Sequence, residues 1–371
     1  MGAISEVDID HTGGSDSGTG AKDNPWQTLS HAFSQSTSSS TSYRFNVKNT
    51  TSGSPMTSLG SLPTGHGLGA VITIQPYETD AGDTEDHVYL DAGGSTLAFN
   101  NDTIDNVVFN RCYFQNTGTN SGQFYNLDNF ILLYKCVFDN CRPIADNTQG
   151  AYYCHFKNMV VTGSGNPIYQ TSSTGAMHGC LIEGSGDTSY QYMIQCYAMT
   201  NSLVYWDGSY DYIYRGLGAG GQCRNNAFIF SDDTHPYTGG GRGVYQDDQQ
   251  IVEYNYFENC GMGIDDAPNS ETFISGPNSF FNCGTTRFTP SSGQLSVNLP
   301  MVPADYTLSS SGYPNAASSD YTMSDELRHL RTNQYSTLPG NSTPVESYFG
   351  AFLKNTRTGK QGLHSIETGS V

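Results

Sequence analysis

The chain has 371 residues and a net charge of −19, and only 36% of its residues are hydrophobic. This charge argues against a nucleic-acid partner, because binding nucleic acid needs Lys and Arg side chains that neutralise phosphates. No apolar run approaches the ~18 residues that a membrane span needs. The N-terminus also lacks the basic and apolar stretches of a secretory signal peptide. We therefore expect a protein that is made in a cytoplasm and binds neither nucleic acid nor membrane.

The N-terminal segment 1–42 is predicted to hold a strand and then a capping helix that starts at Pro25. Asn24 is a suitable N-cap, and proline fits the first helical position. A stack of strands exposes its last apolar layer and needs such a cap. The apolar face of the predicted helix consists of Trp26, Leu29 and Phe33.

The central segment 43–290 contains a repeated pattern, Cys-x-Phe-x-Asn, in which every second residue shares a face, as in a β-strand. Recurrence at mostly 18 to 30 residues is typical of a solenoid. Stacking predicts a core ladder of phenylalanines and a turn ladder of left-handed asparagines that bond to one another. The clear copies are Cys112/Phe114/Asn116, Cys136/Phe138/Asn140 and Cys154/Phe156/Asn158, with weaker copies at Asn226/Phe228, Asn255/Phe257/Asn259 and Asn278/Phe280/Asn282.

The sequence therefore predicts an all-β solenoid over 43–290, followed by an irregular C-terminal cap and polar tail over 291–371. The nine cysteines are an odd number, and most lie in alternating apolar segments. They are predicted to be buried free thiols that pack as small hydrophobic side chains. No resident cofactor is predicted, with Ca²⁺ as the one possibility.

Two acidic pairs, Asp232-Asp233 and Asp265-Asp266, are candidates for chemistry. Counted from the repeated phenylalanines, Asp233 and Asp265 fall at similar places in successive repeats. With His235 nearby, two such carboxylates could cleave a glycosidic bond by acid–base catalysis. The four aspartates are also ligands of the kind that Ca²⁺ prefers. The alternative is that they are solvated turn residues in a very acidic protein.

The stretch 205–215 is dense in aromatic residues. Alternation places Tyr210, Tyr212 and Tyr214 on the same side of a strand. With Trp206 and Arg215, these tyrosines could form an exposed platform that contacts a glycan or a neighbouring protein. The alternative is that the rings stack on the solenoid exterior or under a loop.

Several segments resemble a known family. Val7–Asp16 and Pro25–Phe33 resemble the N-terminal capping segment of right-handed parallel β-helix proteins of the pectate-lyase-like superfamily, and the repeats at 105–283 are similar to its coils. Ala304–Leu308 and Phe349–Phe352 resemble a closing signature of its bacterial and phage members. The acidic opening without a signal peptide looks most like bacteriophage virion proteins.

The resemblance implies a right-handed, single-stranded parallel β-helix that is made in the host cytoplasm and becomes part of the virion. The expected function is non-enzymatic: a capsid decoration, fibre or spike component that binds other virion proteins and forms a homotrimer. The alternative is a tailspike depolymerase, a hydrolase or lyase that binds and cleaves a host surface polysaccharide. Apart from Asp-Asp pairs, the catalytic motifs of pectate lyases and polygalacturonases are missing from the sequence, so the resemblance supplies no catalytic residue.

Overall fold

The structure is a computed structural model and describes eighteen stretches of the chain. These are residues 4–36, 38, 40–57, 70–77, 87–91, 106–116, 131–141, 144–160, 168–186, 192–208, 212–216, 221–231, 241–246, 251–266, 274–275, 278–287, 306–321 and 324. The chain divides into two compact units: the first comprises 1–160 with 166–175, and the second comprises 161–165 with 176–371.

The first unit contains one α-helix and eleven β-strands among the described residues, the last of which runs on into the second unit. In chain order they are β1 Ile4–Asp10, α1 Leu29–Gln35, β2 Ser42–Lys48, β3 Ile72–Pro76, β4 Val88–Asp91, β5 Val107–Asn110, β6 Cys112–Gln115, β7 Ile131–Tyr134, β8 Val137–Asp139, β9 Ile144–Tyr152, β10 His155–Val160 and β11 Tyr169–His178.

These strands form two ladders. The strand order is β1-β2-β3-β5-β7-β9-β11 in one ladder and β4-β6-β8-β10 in the other. From β3 onwards, successive strands of the chain alternate between the two ladders. The pairs are parallel, as between β5 and β7 or β6 and β8. A chain that returns to the same ladder after each excursion is consistent with a parallel β-helix.

The second unit contains fifteen further strands and a short 3-10 helix in its described part. They are β12 Leu181–Ser185, β13 Tyr192–Cys196, β14 Ala198–Thr200, β15 Leu203–Asp207, β16 Tyr212–Gly216, β17 Gln222–Arg224, β18 Ala227–Phe230, β19 Arg242–Gln246, β20 Ile251–Glu253, β21 Tyr256–Glu258, β22 Met262–Asp266, β23 Ile274–Ser275, β24 Ser279–Phe281, β25 Thr285–Arg287, β26 Tyr306–Thr307 and the 3-10 helix Ala316–Ser318.

In this unit the chain visits three ladders in rotation. Their strand orders are β12-β15-β18-β21-β24-β26, β13-β16-β19-β22-β25 and β14-β17-β20-β23. Pairing is parallel and in register, as in Leu181 with Leu203 and Ala227 with Tyr256. The regular secondary structure of the described residues is thus almost entirely parallel β-strand, which confirms the all-β prediction.

The predicted phenylalanine ladder is confirmed in both units. In the first, the rings of Phe114, Phe138 and Phe156 stack with centroids 4.8 and 4.9 Å apart. In the second, Phe257 stacks between Phe228 and Phe280 at 5.3 and 5.1 Å. All lie in the core. Alternation of β-strand side chains explains why a residue type repeated at one position becomes a continuous stack.

The turn asparagines are left-handed as predicted, with φ of 54°, 50° and 53° at Asn116, Asn140 and Asn158. The predicted bonding between amides is wrong for two of them. The Asn116 amide donates to Asp91 Oδ2 at 2.8 Å, and the Asn158 amide donates to Asp139 Oδ1 at 2.7 Å. A carboxylate is the stronger acceptor, so it takes the amide hydrogen in preference to another amide.

The N-terminal helix is present but begins later than predicted. Its N-cap is Thr28, whose hydroxyl accepts a hydrogen bond from the His31 N–H at 3.1 Å. Trp26 cannot be helical, because its backbone is hydrogen-bonded to β1. The Trp26 N–H donates to the Asp8 carbonyl, and the Trp26 carbonyl accepts from the Asp10 N–H. The predicted N-cap, Asn24, therefore lies in a segment that pairs with the edge of β1. The sequence also predicts a short helix from Ser324 to Arg331 with Ser324 as its N-cap, and this segment falls almost entirely outside the described residues.

Candidate functional site

The predicted aromatic platform is not an exposed surface. The Trp206 and Tyr214 side chains are fully buried. The Trp206 indole N–H donates to the Gly186 carbonyl at 3.0 Å, and the Tyr214 hydroxyl donates to the Cys196 carbonyl at 3.1 Å. Both side chains lie in the interior because a large ring with one satisfied polar atom is a favourable core residue. Tyr210 lies outside the described residues.

The structure instead builds a cluster of three tyrosines, two arginines and an aspartate, which we call the tyrosine–arginine cluster. Its residues occupy two register rows of the β13-β16-β19-β22 ladder. One row aligns Tyr192, Tyr212 and Arg242, and the other, three positions further along the strands, aligns Arg215, Tyr245 and Asp265. Parallel pairing brings residues 20 to 30 positions apart in sequence to neighbouring strands.

The rings and guanidinium groups of the cluster pack against one another. Tyr192 stacks on Tyr212 at 5.5 Å, and Tyr245 contacts both rings at 5.3 and 4.7 Å. The guanidinium of Arg215 lies 4.7 Å from the centre of the Tyr192 ring, and that of Arg242 lies 4.7 Å from the centre of the Tyr212 ring. These cation–π contacts hold both cations over aromatic faces.

Asp265 is neutralised within this cluster. Its Oδ2 atom lies 2.5 Å from Arg242 Nη1 and accepts a hydrogen bond from the Tyr212 hydroxyl at 2.8 Å. Arg242 also contacts the Tyr212 hydroxyl. Asp265 is only 8% exposed. Burial, together with the hydrogen bond to Asp265, raises the pKa of Tyr212. The guanidinium and the phenol thus occupy this carboxylate, and the adjacent guanidinium repels a cation.

The remaining predicted site residues lie beyond what the structure describes. Asp232, Asp233 and His235 fall outside the described residues, and so does the side chain of Asp266. The predicted approach of Asp233 to Asp265 and the Ca²⁺ site therefore stay predictions. Among the residues that are described, no group of three or more His, Cys, Asp or Glu side chains could hold a metal ion.

Sequence reasoning missed three members of the cluster: Tyr192, Tyr245 and Arg242. The glycine-rich stretch Gly239–Gly243 is typical of a flexible turn, yet Arg242 and Gly243 belong to β19. A side chain at Gly243 would come within 2.5 Å of the Phe257 ring, so the glycine permits close packing of the core. The sequence does not reveal that these residues align on neighbouring strands, because loops of unequal length separate the strands and obscure their register.

A second polar and aromatic surface lies on the β4-β6-β8-β10 ladder of the first unit, and we call it the tyrosine–lysine face. Tyr89 stacks on Tyr113 at 4.8 Å. Lys157 lies 3.2 Å from Asp139 Oδ2 and 5.0 Å from the centre of the Tyr113 ring. The Tyr113 hydroxyl donates to Asp139, and Gln115 donates to Asp91 at 3.0 Å. All of these side chains are half-buried.

The charges of this face are mutually stabilised. Burial and the hydrogen bond to Asp139 raise the pKa of Tyr113. Burial alone would raise the pKa of Asp139, but hydrogen bonds from Tyr113 and Asn158 and the charge of Lys157 outweigh it and lower that pKa. Burial opposes the charge of Lys157, yet contacts with Tyr113 and Asp139 raise its pKa. The face therefore presents fixed charges beside exposed ring area.

Comparisons with known proteins give no match: no protein-family model fits this chain, and no curated protein and no solved structure is significantly similar. Within the described ranges, no helix has the length and apolar character needed to cross a membrane.

Proposed function

We propose that the chain is a right-handed, single-stranded parallel β-helix with α1 as its N-terminal cap, and that it serves as a non-enzymatic bacteriophage virion protein. In this role it is a capsid decoration, fibre or spike component on the particle surface, bound to other virion proteins as a homotrimer. Support for the scaffold comes from the in-register parallel ladders. A strand with hydrogen-bonded neighbours on both sides resists proteolysis, as an external particle component must.

One observation carries the non-enzymatic assignment. Of the residues predicted for acid–base work, Asp265 is the one described, and it is buried and paired with Arg242 at 2.5 Å. Glycoside hydrolysis needs two carboxylates about 5 to 10 Å apart that reach the substrate. A carboxylate occupied by a guanidinium and a phenol serves packing better than catalysis.

Location in a particle is the direct test of the proposal. Antibodies against the purified protein, used for immunogold labelling of intact phage particles from a host that expresses the chain, should label the particle exterior. Mass spectrometry of washed particles should detect the chain in fixed copy number. Particles that contain none of it would end the virion assignment.

Enzyme activity is tested separately. Purified protein incubated with capsular polysaccharide or lipopolysaccharide should release neither reducing ends nor unsaturated sugars. Should either be released, Asp265→Asn and Asp233→Asn variants decide which carboxylate is responsible, and activity lost in one of them would overturn the non-enzymatic assignment.

A second candidate function is binding of a host surface polysaccharide, and the tyrosine–lysine face favours it. Ring faces such as those of Tyr89 and Tyr113 can stack on sugars, while Lys157 and Gln115 can donate hydrogen bonds to hydroxyl groups. We expect Tyr113→Ala to weaken binding to the host polysaccharide about tenfold, or ~1.4 kcal/mol. Tyr134→Ala, on the other ladder of the same unit, is the control. Equal binding by both variants would contradict this site.

A further inference from the structure

Two cysteines of the second unit occupy the same position in consecutive repeats. Cys260 follows β21 and Cys283 follows β24, each directly after a left-handed asparagine. β21 pairs with β24, and β22 pairs with β25, at the same 23-residue offset (256 to 279 and 262 to 285). Because the offset is equal on both sides of the turn, Cys260 and Cys283 lie opposite each other in the turns of neighbouring repeats.

The local geometry suits a bond between them. The Gly284 N–H donates to the Cys260 carbonyl at 3.0 Å, so the two backbones are direct neighbours. Neighbouring strands lie ~4.8 Å apart, within the ~4.4–6.8 Å Cα separation of disulfides. The Cys283 thiol lies 3.5 Å from the Phe257 carbonyl and so leans towards the strand that precedes Cys260. Both thiols are free.

We propose that Cys260 and Cys283 are an oxidisable pair that a small disulfide such as glutathione disulfide converts into a cross-link between two repeats. The Cys283 thiolate attacks one sulfur of glutathione disulfide, forming a mixed disulfide and releasing one glutathione thiolate. Cys260 then loses its proton to that thiolate and attacks the Cys283 sulfur, which releases the second glutathione. Two protein thiols are oxidised, and one glutathione disulfide is reduced to two glutathione molecules.

Exposure sets the order of the two steps. Cys283 is half-buried and accessible, whereas Cys260 is 1% exposed. Burial raises the pKa of the Cys260 thiol, which disfavours it as the first nucleophile. Seven other cysteines are fully buried. The accessible partner therefore distinguishes this pair from the stacked thiols deeper in the core.

The cross-link would fasten β24 to β21 and protect the C-terminal repeats from fraying. In a host cytoplasm glutathione keeps such a pair reduced, and release into an oxidising exterior would close it. That biological setting rests on the proposed virion function, whereas the chemistry does not.

The test treats the full-length protein with a glutathione disulfide buffer and counts thiols after unfolding. We expect the count to fall from nine to seven. Peptide mapping under non-reducing conditions should join the peptides that contain Cys260 and Cys283. Protease digestion of the folded protein should then cut residues 278–287 more slowly than in the reduced protein.

Cys283→Ser and Cys260→Ser should each keep all eight remaining thiols free of any intramolecular bond. Cys141→Ser is the matched control, because Cys141 also follows a left-handed asparagine after β8 but lies opposite Met159. The Cys141→Ser variant should still form the disulfide between Cys260 and Cys283. Nine free thiols, a stable glutathione adduct at Cys283, or a cross-link mapped elsewhere would each overturn the proposal. Because purified protein suffices, such a failure leaves the virion assignment untouched.

Discussion

At the residue scale, the most informative feature is a buried column of side chains at the start of the β15-β18-β21-β24 ladder. Asn226, Asn255 and Asn278 are fully buried, and each amide bonds to the next at 3.1 Å. Their Oδ1 atoms also accept backbone N–H groups of the preceding repeat. The column satisfies every polar group it buries, so it holds each repeat at one height and register.

Replacing Asn255 with leucine should break the hydrogen-bonded column of asparagines. The variant leaves the Asn226 N–H and the Cys223 carbonyl without their side-chain partner. The Asn278 Oδ1 loses the amide donor but keeps the Asn255 backbone N–H. Each unsatisfied buried group costs about 1–3 kcal/mol, so we expect the free energy of unfolding of the second unit to fall by roughly 3 kcal/mol or more. Urea denaturation followed by circular dichroism measures it.

Asn282→Gly is the control for that prediction. Asn282 is exposed and has φ of 49°, a conformation that glycine adopts without strain. Its replacement should change the free energy of unfolding by less than about 1 kcal/mol. An Asn255→Leu variant as stable as this control would show that the buried column does not contribute.

At the element scale, residues 306–321 form a strap that lies across the β12-β15-β18-β21 ladder. The strap begins as β26, which pairs with β24, and it ends where the Tyr321 hydroxyl donates to Glu183 at 2.6 Å. It therefore ties together repeats that are far apart in sequence. The buried side chains are Leu181, Leu203, Ala227, Ile229, Tyr254 and Tyr256 from the ladder side, and Leu308, Tyr313, Ala316 and Tyr321 from the strap.

The strap should be held more tightly in acid, and Glu258 is the reason. Glu258 is 6% exposed and accepts hydrogen bonds from Tyr256 at 2.5 Å and from Ser311 of the strap. Burial nevertheless raises its pKa above 4.5. Because the pKa of Glu258 is higher in the folded than in the unfolded chain, its contribution to stability is fully present at pH values below the unfolded-chain pKa. That contribution is lost as the pH rises through the pKa of the folded protein.

Glu258→Gln removes that titration while keeping an acceptor for Tyr256. We expect the variant to protect the backbone amides of 306–321 from exchange better than the wild type at about pH 7, because at that pH the buried Glu258 carboxyl of the wild type must ionise. At about pH 4 the two proteins should protect these amides equally. Hydrogen exchange, expressed as protection factors, reports this. Tyr321→Phe is a second probe: it should loosen the strap at both pH values, since the variant lacks the hydroxyl that donates to Glu183. Identical protection of wild type and Glu258→Gln at both pH values would contradict the role of Glu258.

At the scale of the whole molecule, the large negative net charge is the main obstacle to assembly into an oligomer. Each chain carries −19, so a homotrimer would carry −57, three times that value. Like charges oppose assembly, and salt reduces the repulsion by shortening the Debye length from ~30 Å at 0.01 M to ~8 Å at 0.15 M.

We therefore expect the proposed homotrimer to depend on salt. Mass photometry at about 0.15 M salt should show particles of three times 40.2 kDa, with monomers increasing at about 0.01 M. The same measurement on heat-unfolded and refolded protein controls for aggregation. Monomers alone at micromolar concentration in both salts would count against a homotrimer.

The sequence by itself determined the all-β character and the inward phase of residues such as Phe114 and Phe257, because strand alternation is local and repeats along the chain. It also predicted left-handed asparagines at the turns. Only the tertiary structure decided which residues meet across the ladders: Tyr212 with Asp265 and Arg242, or Tyr321 with Glu183. Loops of unequal length determine which residues align across the ladders. Burial depends on what covers each face of a sheet, and it places Trp206 and Tyr214 in the core instead of on an exposed platform.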